Sequence, residues 1–366
     1  MNPEQIFDLA TKEYGGRLEQ RSFQIDSMVE RFRSLLDRHS RDNRLLKSFP
    51  TIYVDFVDNS TFNAFALKYY DRYVIGIHKG IVLILNDLFN RMLSHKNILS
   101  YVGDPSNEIE CKPVEGYYAN IHDMVTLGHG SQYEFQEPRD ITRRLYASHL
   151  TIIALTFIFE HELSHILFGH VDFLNEKYGL NRLAEYQRSS VSVDNLDLQT
   201  LEMDADSTSL ARCCDLASII VDEPFRIHSD YRQFYPDIYT AFSDIDLSIF
   251  NVLQLFGDGE YWDTTVGKSS HPDPRIRQLM ISATFESIVK RWSHLNIDYT
   301  ILIEQQLKGF VEANRAYEYL TGKKIDGNVF KSEYYTYHPL VKAVLNNWKN
   351  NIREKLEKYT FKPLAL

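Results

Sequence analysis

The sequence predicts an α+β protein, mostly helical, with a small sheet near residues 50–85 and one central helix that carries an HExxH motif. Three observations predict it. Beyond residue 140 the chain holds long stretches with apolar residues at helical spacing. Two short runs, TIYVDF at 51–56 and YVIGI at 73–77, are β-branched or aromatic and read as strands. Ten largely apolar residues, 150–159, run almost directly into His161-Glu162-Leu163-Ser164-His165.

Bulk composition bounds the possibilities. The chain has 366 residues, 44% hydrophobic and 25% charged, which is ordinary globular composition with ample length for a buried core. Its formal net charge of −10 is spread along the chain, which argues against a nucleic-acid binder with a basic face. Three cysteines, Cys111, Cys213 and Cys214, cannot form a fully paired disulfide framework and fit a reducing compartment. The adjacent Cys213 and Cys214 read as buried helix residues rather than as ligands or a redox pair. Residues 1–9 lack a charged-then-apolar signal pattern, and the apolar run at 150–159 is shorter than the about 20 residues a bilayer requires. The expectation is a cytoplasmic protein without a membrane span.

The elements follow in order. Residues 4–48 are charged, with Met28, Phe32, Leu35 and Leu36 at helical spacing, so a helical N-terminal region over 1–50 is expected, ended by Pro50. Residues 80–85 continue either as strand or as the start of a helix. Residues 100–138, with Pro105, Pro113, Gly116, Gly128 and Gly130, read as an irregular insertion (about 95–140) near the active site. His122 and His129 within it read as loop histidines rather than ligands. Pro138 then opens a long helix, capped by Asp140, that runs through Leu145, Leu150, Ile153, Phe157 and Leu163 to about Gly169. Further helices are expected over 196–216, 238–256, 275–292, 301–320 and 340–359. The division is a helical region over 1–50, a catalytic domain over 51–295 and a C-terminal helical region over 296–366 that packs on the core.

HExxH on a helix places two imidazoles at i and i+4 on one face, where both can reach one ion at about 2.0–2.1 Å. Glu162, between them, can reach a water at that ion without ligating it, which is the arrangement a hydrolytic zinc site needs. Because catalytic zinc takes three protein ligands, a third is required. Glu202, in Leu201-Glu202-Met203-Asp204-Ala205-Asp206, is the candidate, with Asp206 one turn on as hydrogen-bond acceptor for a ligand imidazole. Nine residues of continuous helix would put His170 on the opposite side from His161, so it reads as a polar contact near the helix end. His271 is either an oxyanion stabiliser or a contact near the start of the helix that begins by Arg275. Arg275 either pairs with a carboxylate near the site, such as Asp206, or lies on the surface.

With these residues in place, the chain resembles the gluzincin metallopeptidases of the HtpX and CAAX-prenyl-protease type. The resemblance rests on Asn63-Ala64-Phe65-Ala66, a strand at 73–77 and an apolar segment at 80–92. HExxH with a histidine five residues further on follows (161–170). Then come Glu202-x-x-Ala205-Asp206 and Ser270-His271-Pro272 with Arg275-Ile276. It covers roughly residues 51–292. It implies a zincin-like core and one Zn2+ per chain held by His161, His165 and Glu202, with Glu162 as the general base. It also implies a strand edge near 73–85 along which a peptide lies extended. The chain departs from that family in having no spanning helix and about 50 extra residues before HExxH. A looser resemblance runs to ImmA/IrrE-like and Lit-like intracellular HExxH proteases, which share HExxH and a later acidic ligand. The expected activity is zinc-dependent hydrolysis of peptide bonds in an intracellular protein substrate. The alternative is a regulatory or catalytically idle, metal-stabilised protein-binding module. The oligomeric state is not legible.

Overall fold

Two helices open the chain, α1 (Pro3–Thr11) and α2 (Phe23–Ser40), and each starts where its sequence supplies a cap. Asn2 and Gln5 form a reciprocal capping box with Pro3 as the first helical residue, and the Ser22 hydroxyl accepts from the Ile25 N–H. The computed structural model describes residues 2–109, 135–184, 194–222, 229–256, 271–290, 297–322, 324 and 338–365. The greater part of the expected insertion, with Cys111, His122 and His129, lies outside the described residues, as do Ser269 and Ser270.

Four strands form one mixed sheet: β1 (Ile52–Val57), β2 (Ala64–Tyr69), β3 (Arg72–His78) and β4 (Arg182–Ala184), in the order β1-β3-β2-β4. β3 runs parallel to β1, pairing Ile52 with Tyr73, and antiparallel to β2, pairing Ala64 with Ile77. This corrects the expectation of a peptide-accepting edge near residues 73–85. Both rims of β3 are taken by β1 and β2, and residues 79–93 form helix α3 (Lys79–Leu93). The sheet's outer strands are β1 and β4.

The remaining elements are helical: α4 (Ile141–Leu167), α5 (His170–Tyr178), α6 (Asn195–Asp222), the short α7 (Ser229–Arg232), α8 (Ile238–Phe256), α9 (Pro274–Val289), α10 (Tyr299–Thr321) and α11 (Pro339–Asn347). A π-helical turn (Trp348–Ile352) and α12 (Arg353–Leu356) follow, so the long helix expected over 340–359 is interrupted. The protein is mostly helical with a small sheet.

α4 is the centre. Asp140 caps it, accepting from the Arg143 N–H at 3.0 Å. Its apolar faces meet α2, α3, α6, α8 and the inner strands. Phe32 of α2 stacks on Phe159 with centroids 4.7 Å apart, two residues before the motif. Leu150, Leu155, Phe157 and Phe159 are all buried, and each such side chain contributes on the order of 2 kcal/mol. Among the described residues α4 is the one helix long and apolar enough to cross a bilayer, yet 89% of its most apolar window is buried inside the protein. Its apolar surface is therefore used up by the core.

One apolar cluster takes in Phe32 and Ile75, Phe159 and Phe250, and Leu302 and Phe361, so N- and C-terminal helices share the core with the central ones. α10 lies against α8 at Gly309, where a Cβ would come within 2.5 Å of the Ser243 carbonyl. The chain then closes on α4: the Phe361 N–H donates to the Leu167 carbonyl at 2.8 Å, and the Thr360 hydroxyl lies 3.2 Å from the same oxygen, its proton shared with the Lys362 carbonyl. An otherwise orphaned carbonyl at the end of the motif helix is thereby satisfied.

Candidate metal centre

His161 and His165 sit one turn apart on α4, and their Nε2 atoms converge to 2.9 Å. α6 packs along α4, and its Leu210, Cys213 and Cys214 share one apolar cluster with Leu155 and Phe159 of that helix. That packing sets Glu202 opposite the histidines. Its Oε2 lies 3.3 Å from His161 Nε2 and its Oε1 3.6 Å from His165 Nε2. The three ligand atoms lie within 4.8 Å of one another, and none of the three side chains is more than 2% exposed.

A second layer fixes which ring nitrogen carries each proton. His161 Nδ1 lies 3.0 Å from Asp206 Oδ1, so Nδ1 holds the proton and Nε2 a lone pair. Burial would raise the Asp206 carboxyl, but the Arg277 guanidinium, donating to both of its oxygens at 2.8 Å, holds it below the usual carboxylate range. On the other side, His170 Nε2 lies 3.2 Å from Asp204 Oδ2 and donates to it. His170 Nδ1 is then an acceptor and takes the His165 Nδ1 proton at 2.9 Å. His165 Nε2 is thus also a bare lone pair, and burial pushes that imidazole well below its ordinary pKa, into the neutral form. These tautomers follow from the hydrogen-bond network.

Two lone pairs therefore face each other at 2.9 Å beside a carboxylate, in a region closed to water. Such a donor set repels itself unless a cation occupies its centre. The separations of 2.9, 3.3 and 3.6 Å bracket the about 3.3 Å between ligands bonded tetrahedrally at 2.0–2.1 Å. The group fits a metal ion with three protein ligands.

The other residues singled out in the sequence fall as follows. Glu162 is fully buried on α4 between the two histidines. His271 is buried with its Nε2 3.7 Å from Glu202 Oε1. The cap of α9 is Asp273, which accepts from the Arg275 N–H and holds the Arg275 guanidinium at 2.8–2.9 Å. His271 thus lies two residues before that cap with its ring beside Glu202, and Arg275 does not reach Asp206. Arg277 does, because two residues on a helix turn the side chain by about 200°. Burial would raise the Glu202 carboxyl too, but the neighbouring His271 is the foremost influence that holds it well below its ordinary value.

Asp204 and Arg277 are the contacts that sequence reasoning missed, and for His170, expected as a polar contact near the helix end, it missed the partner, His165. The 100° count assumed one helix through residue 170, but Gly169 adopts φ +78° and ends α4. A new helix starts at His170 and turns its ring back onto His165. Gly169 is the signal that could have revealed this, because a left-handed glycine commonly marks the end of a helix. A Cβ there would also come within 2.4 Å of Tyr359 Cβ. Comparison with protein-family models, curated proteins and solved structures returns no match.

Proposed function

We propose that the chain is a zinc-dependent endopeptidase of gluzincin type, acting on an intracellular protein. The observation that carries this reading is the pair of imidazole lone pairs, each set by an outer carboxylate, converging beside Glu202 with Glu162 next in sequence. A nitrogen–nitrogen–carboxylate set with a neighbouring non-ligating Glu is what hydrolytic zinc takes, whereas a purely structural zinc is closed by four ligands, often cysteines. Cys213 and Cys214 are free and buried on α6, which supports a reducing, cytoplasmic setting.

Zinc at this centre would supply Lewis acidity toward a water molecule and a peptide carbonyl. The protein's own groups do the rest. Glu162 takes the proton of the attacking water and returns it to the departing amine. Asp206, held by Arg277, keeps the His161 proton on Nδ1, and the His170–Asp204 pair does the same for His165. His271, beside Glu202, donates toward the oxygen on which negative charge develops.

The test combines elemental analysis with one substitution. Protein purified without added metal should hold about one zinc per chain, and Glu162→Gln should hold as much. With a denatured peptide library as substrate, cleavage products read by mass spectrometry should appear with the wild type and vanish with Glu162→Gln. A chain that neither contains nor takes up zinc, one that carries iron instead, or hydrolysis that survives Glu162→Gln would each overturn the reading.

A further inference from the structure

A cavity of about 950 Å³ opens between α2, α4, α6, α7 and α8, and none of the residues lining it belongs to the metal centre. Its size is that of a small-molecule site. Its chemistry is asymmetric. Ile152 and Ile153 of α4 with Leu216 and Ala217 of α6 make an apolar wall. Opposite them α2 contributes Arg31 and Arg38, and the residue that follows it Arg41, all three on the cavity side, in a chain whose net charge is −10. The acidic residue lining the cavity, Asp37, is already held by Arg41 at 2.7 Å.

Two polar groups are left facing this space. Among the described residues, the Arg31 guanidinium has no carboxylate in ion-pairing range. Its hydrogen bond is from Nε to Thr156 Oγ1 at 3.3 Å, which leaves its terminal nitrogens unused. The side chain is open to solvent, yet enough protein surrounds it that desolvation lowers its pKa. Beside it, His149 is only 9% exposed and lines the same cavity. Its Nε2 meets the Tyr235 hydroxyl, while Nδ1 has no hydrogen-bond partner among the described residues. With Tyr235 donating to Nε2, Nδ1 carries a proton and offers a further donor. The ring is held between Tyr231 and Tyr235, with centroids 4.9 and 5.2 Å away, so its direction is fixed. A buried donor is costly unless something accepts from it, and the Arg31 guanidinium beside it has donors to spare.

We propose that this cavity is a binding site for a small organic anion, its acidic head on Arg31 and His149 and its apolar body along the Ile152–Ile153 and Leu216–Ala217 wall. The site is independent of the zinc reading, because it uses no residue of that centre. A carboxylate and a phosphate head both suit a guanidinium fork, and the apolar wall requires that either be attached to a hydrocarbon or aromatic body.

The test is calorimetric titration of the full chain with decanoate, decyl phosphate, decanol and decylamine. One of the two anions should saturate a single site per chain, and their ranking identifies the head group. Decanol and decylamine, with the same tail, should bind at least about tenfold more weakly. Arg31→Gln should weaken the anion by about tenfold or more, with Arg31→Lys recovering part of the loss, and both should keep the wild-type circular dichroism. No saturable binding of either anion up to about 1 mM, or decanol matching the anions on the wild-type protein, overturns the proposal without any variant. Equal affinity of Arg31→Gln and wild type overturns it too.

Discussion

Replacing Asp206 by Asn removes one charge and almost no volume, and its effect can be worked from the contacts. Asp206 takes two hydrogen bonds from Arg277 at 2.8 Å and lies 3.0 Å from His161 Nδ1. An amide has one acceptor oxygen and one NH2 group, so it cannot accept on both sides. If the oxygen stays toward His161, the NH2 group faces the Arg277 Nε–H, and a bond to a buried guanidinium is lost. If the amide turns round, the NH2 group faces His161 Nδ1, which must become the acceptor. Its proton then sits on Nε2, pointing at Glu202, where no metal can be bound. Either way Arg277, whose side chain is 3% exposed, is drawn toward the Glu202 carboxylate 3.9 Å away and competes for the ligand. Loss of such an outer contact costs about 10–100-fold in metal affinity, or about 1.4–2.7 kcal/mol. Breaking one side of a buried ion pair costs the metal-free fold about 3 kcal/mol. Competition against a chromophoric chelator measures the first, and urea melts in the presence of a chelator measure the second. A zinc affinity within threefold of wild type would refute the claim that Asp206 sets the His161 tautomer. An unchanged urea midpoint would refute the claim that it balances Arg277.

Two further perturbations separate the site from its supports. Gly169→Ala should destabilise the fold by about 2–3 kcal/mol, since φ is +78° and the new Cβ meets Tyr359 at 2.4 Å; a thermal melt within 1 °C of wild type would show that the break between α4 and α5 tolerates a side chain. Asp244 on α8 is buried beside the Tyr146 hydroxyl, and burial, only partly offset by that hydrogen bond, pushes its pKa up to about 7. Its proton is held more tightly folded than unfolded, so its contribution is complete below about pH 4 and is lost as pH rises through about 7, to a limit of about 4 kcal/mol. Asp244→Asn, which cannot titrate, should therefore gain on the wild type by that amount between pH 4 and pH 8 in urea melts, and a constant gap across this range would show that Asp244 is not the group responsible.

How far the sequence could be read depends on what each residue's pattern reports. Helical periodicity exposed α4, α6, α8, α9 and α10 because each buries one face or all of them along a single axis. β2 escaped because Ala64, Phe65, Ala66 and Leu67 are all buried, on both faces of the sheet, so no polar alternation marks it. Its hairpin turns at Tyr70-Asp71, with Tyr70 at φ 56°, and lacks the glycine or asparagine that would announce it. β4 has only three residues. In the centre, His161, His165 and Glu202 were legible because spacing on two helices fixes which side chains share a face. In the outer layer Asp206 was legible from the same spacing, but Arg277 and Asp204 were not. Arg277 and Asp204 meet their partners across 71 and 34 residues, through packing between helices that no local pattern records.

The seal at the end of α4 also sets an order of events during synthesis. The Leu167 carbonyl waits for Thr360, 193 residues later, and His39 of α2 meets Lys362 across 323 residues. At about 5–20 residues per second, the first interval alone lasts about 10–40 s. Throughout it the ribosome displays a 27-residue helix whose apolar flanks lack α6 and α8 until those emerge. Closing contacts so distant along the chain is slow even once they are available. The motif helix thus reaches its final, closed form only after its C-terminal partner has cleared the exit tunnel.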